Sequence, residues 1–163
     1  MNKTFKKNLD LYFNELKNLS NRPKHELEFI IKDNNKIFIT NSYGLIRFTN
    51  NQIINDLQMI YETNTKENVV KKIIQTHETQ FNNNYSNRVM KIADITNDDI
   101  KIDDIFNKKH VTINGRDFDY AKIKHIQNLL GKDSVIYSSD NNDNFINIVG
   151  KNGYAFLLGC IVY

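Results

Sequence analysis

The chain has 163 residues, of which 40% are hydrophobic and 25% charged, and its formal net charge is +3. That length suits one compact domain with a real core, and the balance is that of a globular protein and not a disordered one. The mild basicity permits an anionic partner but lacks the dense Lys/Arg clustering of a committed nucleic-acid binder.

In chain order, Met1–Lys7 is charged and then amphipathic, without the apolar core of a signal peptide. Phe5, Leu9, Tyr12, Leu16 and Leu19 recur at helical spacing along one face, with Lys3, Lys6, Lys7, Asn14 and Lys17 opposite and Asp10 the one acid among them. Pro23 ends this helix. Residues 26–32 and 36–40 predict a hairpin about Asp33-Asn34-Asn35, and Gly44 marks a turn or bulge before Leu45–Phe48. Ile53, Ile54, Leu57, Ile60 and Tyr61 suit a helix or a strand-helix mixture. Asn64–Glu67 resembles a capping box ahead of Val69, Val70, Ile73 and Ile74 at helical spacing. Gln80–Asn87 is turn-rich and reads as an exposed loop, Val89–Ile92 as a strand, and Asp99–Asp104 as an acidic stretch before a turn or short helix. His110–Ile113 predicts a strand, and Asn114-Gly115 a turn. A second helix is expected over about 117–130, apolar at Phe118, Ile123, Ile126, Leu129 and Leu130, with Gly131 at its C-cap. Its polar side, with Asp117, Tyr120, Lys124, Gln127 and Asn128, is nearly neutral. Strands over 133–138, 144–149 and 154–162 follow, turning at Asp140–Asp143 and Lys151–Gly153. Cys160, the single cysteine, excludes a disulfide framework or a thiolate metal cluster within one chain. That fits a reducing compartment, and no apolar run reaches the ~20 residues of a membrane helix. The expectation is a soluble cytoplasmic protein without membrane contact.

Two stretches share one pattern: a helix, a charged strand, an Asn/Asp turn, a second strand, a glycine step and a third strand. They span 5–49 and 118–163. The segment Ile39-Thr40-Asn41-Ser42-Tyr43-Gly44-Leu45 is similar to the Ala-Thr-Asp-(Gly/Ser)-(His/Tyr)-Arg-Leu segment of bacterial sliding clamps, the DNA polymerase III β subunits. Val111–Asn114, leading through the helix to Leu130-Gly131, resembles the opening of a clamp half-domain. Tyr154–Cys160 resembles a clamp's carboxy-terminal strand. The resemblance covers roughly 100 residues. It implies an α+β fold of two pseudo-symmetric helix-plus-β-meander halves, DNA-clamp-like, with a helical insertion. In that reading 1–163 is a single clamp-like domain, with half 1 over 1–50, the insertion over 51–110 and half 2 over 111–163. Asn41, Gly44 and Gly159 depart from the family's Asp, Arg and Pro. With one domain where clamps have two or three, a ring of six would require a homo-oligomer.

The resemblance implies duplex-DNA contact through Lys3, Lys6, Lys7, Lys17 and Lys124 on the helices, and a peptide pocket at Tyr43, Leu45, Leu158, Gly159 and Cys160. Against the first stands the ordinary solvated role of a lysine face. Against the second, clamps build that pocket from neighbouring domains. Catalysis finds no support. His25, His77, His110 and His125 are scattered, and His77-Glu78 is one histidine beside one acid. Asp99, Asp103 and Asp104 read as a solvated acidic turn, and Cys160 as a small core residue. No cofactor or metal is expected. The expected function is a non-enzymatic phage- or prophage-type protein associated with DNA replication, acting on DNA or on a host or phage replication protein. The alternative is a protein-interaction module that binds and inhibits a host factor. Overuse of Asn, Ile and Lys reads as AT-rich coding bias, as in low-GC bacteria and their phages.

Overall fold

A computed structural model of the chain describes residues 2–14, 30–33, 36–40, 43–60, 72, 75, 78, 87–138 and 144–159. The first helix, α1 (Lys3–Asn14), starts where the Asn2 side chain accepts the Phe5 N–H at 2.9 Å, the usual role of asparagine at an N-cap. Leu9 and Tyr12 on its inner face are fully buried, and Phe5 meets Phe48 edge-on at 5.8 Å. Leu16, Lys17, Leu19 and Pro23 lie outside the described residues.

Strands β1 (Ile30–Asp33), β2 (Lys36–Thr40) and β3 (Gly44–Phe48) form an antiparallel meander, with Ile30 opposite Ile39 and Ile39 opposite Ile46. The central turn positions 34 and 35 lie outside the described residues. Gly44 is neither turn nor bulge but the first residue of β3, paired with Leu157. A Cβ there would sit 2.9 Å from the Phe156 carbonyl oxygen, so close strand approach explains the glycine. Helix α2 (Asn51–Ile60) resolves the ambiguity of 53–60 in favour of a helix, capped by Asn50 Oδ1, which accepts from Gln52 N at 3.0 Å and Ile53 N at 3.3 Å. Residues 72, 75 and 78 are helical too. The capping box at 64–67, the apolar positions 69, 70, 73 and 74, and the loop at 80–86 lie outside the described residues.

The segment 51–110 is not purely helical, because it also supplies strands. Strand β4 (Asn87–Lys91) pairs with β8, with a bulge between Arg88 and Met90, and β5 (Ile100–Ile102) pairs with β6 (Lys109–Ile113). The acidic stretch splits into a short 3-10 turn over Asn97–Asp99 and β5. Asn114 (φ 50°) and Gly115 (φ 76°) make a hairpin turn with both central residues left-handed. Such a turn demands a returning strand, β7 (Arg116–Asp119). The second helix therefore begins later than the apolar pattern suggests: α3 is Tyr120–Leu130, and Phe118 is a buried strand residue opposite Val111. Asp119 caps α3 by accepting the Lys122 N–H at 3.2 Å, and Gly131, at φ 123°, ends it. Gln127, expected on the polar side, is buried, and its Nε2 donates to the Lys132 carbonyl at 3.1 Å.

Strands β8 (Val135–Ser138), β9 (Phe145–Gly150) and β10 (Gly153–Leu158) form a second meander, and residues 140–143 of its first turn lie outside the described residues. The architecture is α+β with two antiparallel sheets. One has seven strands in the order β1-β2-β3-β10-β9-β8-β4, and the other has three in the order β5-β6-β7. The two meanders join where β3 runs antiparallel to β10. Strand alternation places Ile37, Ile39, Ile46, Phe48, Ile146, Ile148, Ala155 and Leu157 on one face, where they share a core with Leu9 and Tyr12 of α1 and Ile123 and Ile126 of α3. Helices α1 and α3 also pack against each other. The opposite face carries Phe38, Leu45, Arg47, Phe145, Asn147, Tyr154 and Phe156. Among the described residues, no helix is long and apolar enough to cross a membrane.

Candidate functional site

The carboxy-terminal ends of β10 and the β3 entry bring three of the expected pocket residues together. The Leu158 N–H donates to the Tyr43 carbonyl at 2.9 Å, and the Gly159 N–H donates to the Asn144 carbonyl at 2.9 Å. Leu158 is 42% exposed at this edge, whereas Leu45 is 2% exposed, held between Thr40 and Phe156 in the register of its neighbours. The Lys122 ammonium sits 3.6 Å from the centroid of the Tyr43 ring and 4.0 Å from Asp119 Oδ2. The edge thus joins the backbone of an exposed leucine to that of a tyrosine whose ring already holds a cation. Cys160 lies outside the described residues.

Of the expected DNA contacts, Lys3, Lys6 and Lys7 are exposed on α1. Lys124 is on the neighbouring α3, half-buried, and its Nζ donates to Gln127 Oε1 at 2.5 Å. Lys17 lies outside the described residues, as do His25 and His77. The exposed lysines of α1 are therefore the freer part of this surface, and the α3 cations are tied into local bonds.

The three acids read as a turn do separate work. Asp99 closes a capping box with Thr96, Asp103 Oδ1 accepts the Ile105 N–H at 2.9 Å, and Asp104 is exposed. Among the described residues, no three His, Cys, Asp or Glu side chains gather to hold a metal ion. His125 is half-buried on α3. His110 is half-buried on β6, opposite Asp119 and Lys101, and its Nδ1 has no hydrogen-bond partner among the described residues. Beside it, Lys101 Nζ donates to Thr112 Oγ1 at 3.3 Å, and that hydroxyl donates to Asp117 Oδ1 at 2.6 Å.

Two arrangements have no counterpart in the sequence pattern. On the sheet face away from α1 and α3, Arg47 Nη1 donates to Glu78 Oε1 and to the Tyr154 hydroxyl, both at 2.7 Å. Its guanidinium lies 5.8 Å from the Phe38 ring centroid and 5.5 Å from that of Tyr154. Burial pushes the Tyr154 phenol above its usual range, the hydrogen bond and charge of Arg47 oppose the shift, and the Glu78 carboxylate adds to it. Residues from 47, 78 and 154 meet here, which no local spacing announces. The second arrangement is Asn147, fully buried on that same face, with neither Oδ1 nor Nδ2 hydrogen-bonded among the described residues.

No family model, curated protein or solved structure matches the chain.

Proposed function

We propose that this chain is a non-enzymatic, clamp-like protein of phage or prophage type, associated with DNA replication and acting through contact with DNA or a replication protein. The observation that carries the reading is the pairing of β3 with β10. It sets α1 with β1–β3 and α3 with β8–β10 on either side of one antiparallel junction, as two pseudo-symmetric halves would be set. The halves' helices lie side by side on one face, and α1 presents Lys3, Lys6 and Lys7 to solvent. Lysines so placed meet phosphate without reading sequence. The test is fluorescence anisotropy with a labelled duplex at about 50 mM salt, where phosphate contacts are strongest. Binding is expected to weaken with salt, and replacing all three lysines by alanine is expected to lower the log–log salt slope by about 2–3. Absence of binding, or a triple variant that binds like the parent, would sink the DNA arm.

A second reading, a protein-interaction module that binds and inhibits a host factor, is supported by the exposed Leu158 beside Tyr43 and Gly159. A short peptide rich in leucine and phenylalanine should bind there and be lost on Leu158→Asp. Equal binding by the variant removes this support.

A further inference from the structure

The most exposed apolar side chains of the described molecule gather in one place, the loop between β5 and β6. Ile102 is 58% exposed, Ile105 82% and Phe106 72%. This loop is built and not merely left over. The Asp103 N–H donates to the Lys108 carbonyl at 2.8 Å, and the Asn107 N–H donates to the Asp103 carbonyl at 2.8 Å. The Asp103 carboxylate takes the Ile105 N–H, and Asn107 adopts a left-handed φ of 53°. A turn of this kind is ordinarily tipped by polar residues. Here a fixed backbone holds an isoleucine and a phenylalanine out into water.

The charges flanking the tip are ordered along the chain, apart from Lys101 further back on β5, whose ammonium donates to Thr112. Asp103 and Asp104 precede Ile105-Phe106, and Lys108 and Lys109 follow it. An isologous contact whose two-fold axis lies across the hairpin sets residues before the tip of one copy against residues after the tip of the other. An acid–apolar–base order is self-complementary under that operation. An anionic membrane would attract Lys108 and Lys109 but press Asp104 against like charge, whereas a second copy set across the hairpin pairs both signs.

We propose that the Ile102/Ile105/Phe106 loop is a homodimerisation surface whose occupant is a second copy of this chain, with Ile105 and Phe106 at the centre and Asp104 of each copy facing Lys108 and Lys109 of the other. The proposal does not depend on the clamp-like reading. A contact centred on two apolar side chains per copy places association in about the micromolar range. A central aromatic carries much of the energy of such a contact.

The test is sedimentation equilibrium of the full chain at low salt, without DNA, over the micromolar range. A concentration-dependent rise from one to two copies is expected, weakened about thirtyfold or more by Phe106→Ser. Charge variants then separate this contact from others. Asp104→Lys alone, and Lys108→Asp with Lys109→Asp alone, should each be monomeric, while an equimolar mixture of the two should form a heterodimer. Because these side chains are exposed, each variant should keep the parent's melting curve, so loss of dimer is not loss of fold. A parent that stays monomeric overturns the proposal, as does a dimer indifferent to Phe106→Ser or a mixture that fails to associate. A monomer that instead sediments with phosphatidylcholine–phosphatidylserine vesicles through Phe106 also overturns it, in favour of a membrane surface.

Discussion

Tyr154→Phe removes a hydroxyl that accepts from Arg47 on the far face of the large sheet. The substitution loses this 2.7 Å bond and leaves the ring beneath the guanidinium. Arg47 keeps its bond to Glu78, so no buried charge is stranded. A hydrogen bond from a charged donor at a half-buried site is worth about 1–2 kcal/mol, so the variant should lose about that much stability at pH 7. The phenol adds a second signature at alkaline pH. Its folded-state pKa is raised, chiefly by burial, so the folded protein holds this proton more tightly than the unfolded chain. The associated stability is fully present below the usual tyrosine value of 10.0 and is lost as pH rises through the folded value. Urea unfolding at pH 7 and at several points above pH 9 measures both effects. The parent should approach the variant in stability as pH rises, and the other tyrosines and the lysines cancel in the comparison. Equal stabilities at pH 7, or a constant difference across the alkaline range, would refute the reasoning.

Asn147→Leu replaces a fully buried amide that has no hydrogen-bond partner among the described residues by an apolar group of similar size, so it should raise stability by about 1–3 kcal/mol in the same assay. A loss of stability would mean that the amide is satisfied in solution. Gly153→Ala should cost about 3 kcal/mol or more, because φ is 152° and the new Cβ would overlap the Arg47 carbonyl oxygen. Gly115→Ala is the control: its φ of 76° is strained but nothing lies within 4 Å, so its thermal shift should be the smaller.

What the sequence made legible was local. Leu9 and Tyr12 at helical spacing are buried as the pattern predicts, Asn114-Gly115 turns the chain, and Gly131 stops α3. Strand β7 was hidden because Arg116-Asp117-Phe118-Asp119 carries one apolar residue and abuts a helix whose period Phe118 happens to fit. Gln127 looked like surface because its partner, the Lys132 carbonyl, is a backbone group beyond the helix end. The pocket candidates Tyr43 and Leu158 meet through a backbone bond, with Gly159 next in the chain, yet Leu45 is buried on the face away from α1 and α3, between Thr40 and Phe156. The exposure of Ile105 and Phe106 does not follow from the apolar pattern, since an apolar residue in sequence is counted as core by default. The charge order Asp103-Asp104 before the tip and Lys108-Lys109 after it was the signal available there.

The β3–β10 junction also sets the order in which the molecule can be assembled. The central seam of the seven-stranded sheet pairs Gly44 with Leu157 and Phe48 with Gly153. On a ribosome, the apolar face of β2 and β3 therefore waits, with a bare strand edge, until β10 has been made. Contacts this remote close late and slowly, because the intervening loop must be ordered before any pairing energy returns. The nascent amino-terminal half is thus the stage at which the protein is most open to aggregation or to chaperone capture. Cold or rapid synthesis should tax its yield more than its final stability would suggest.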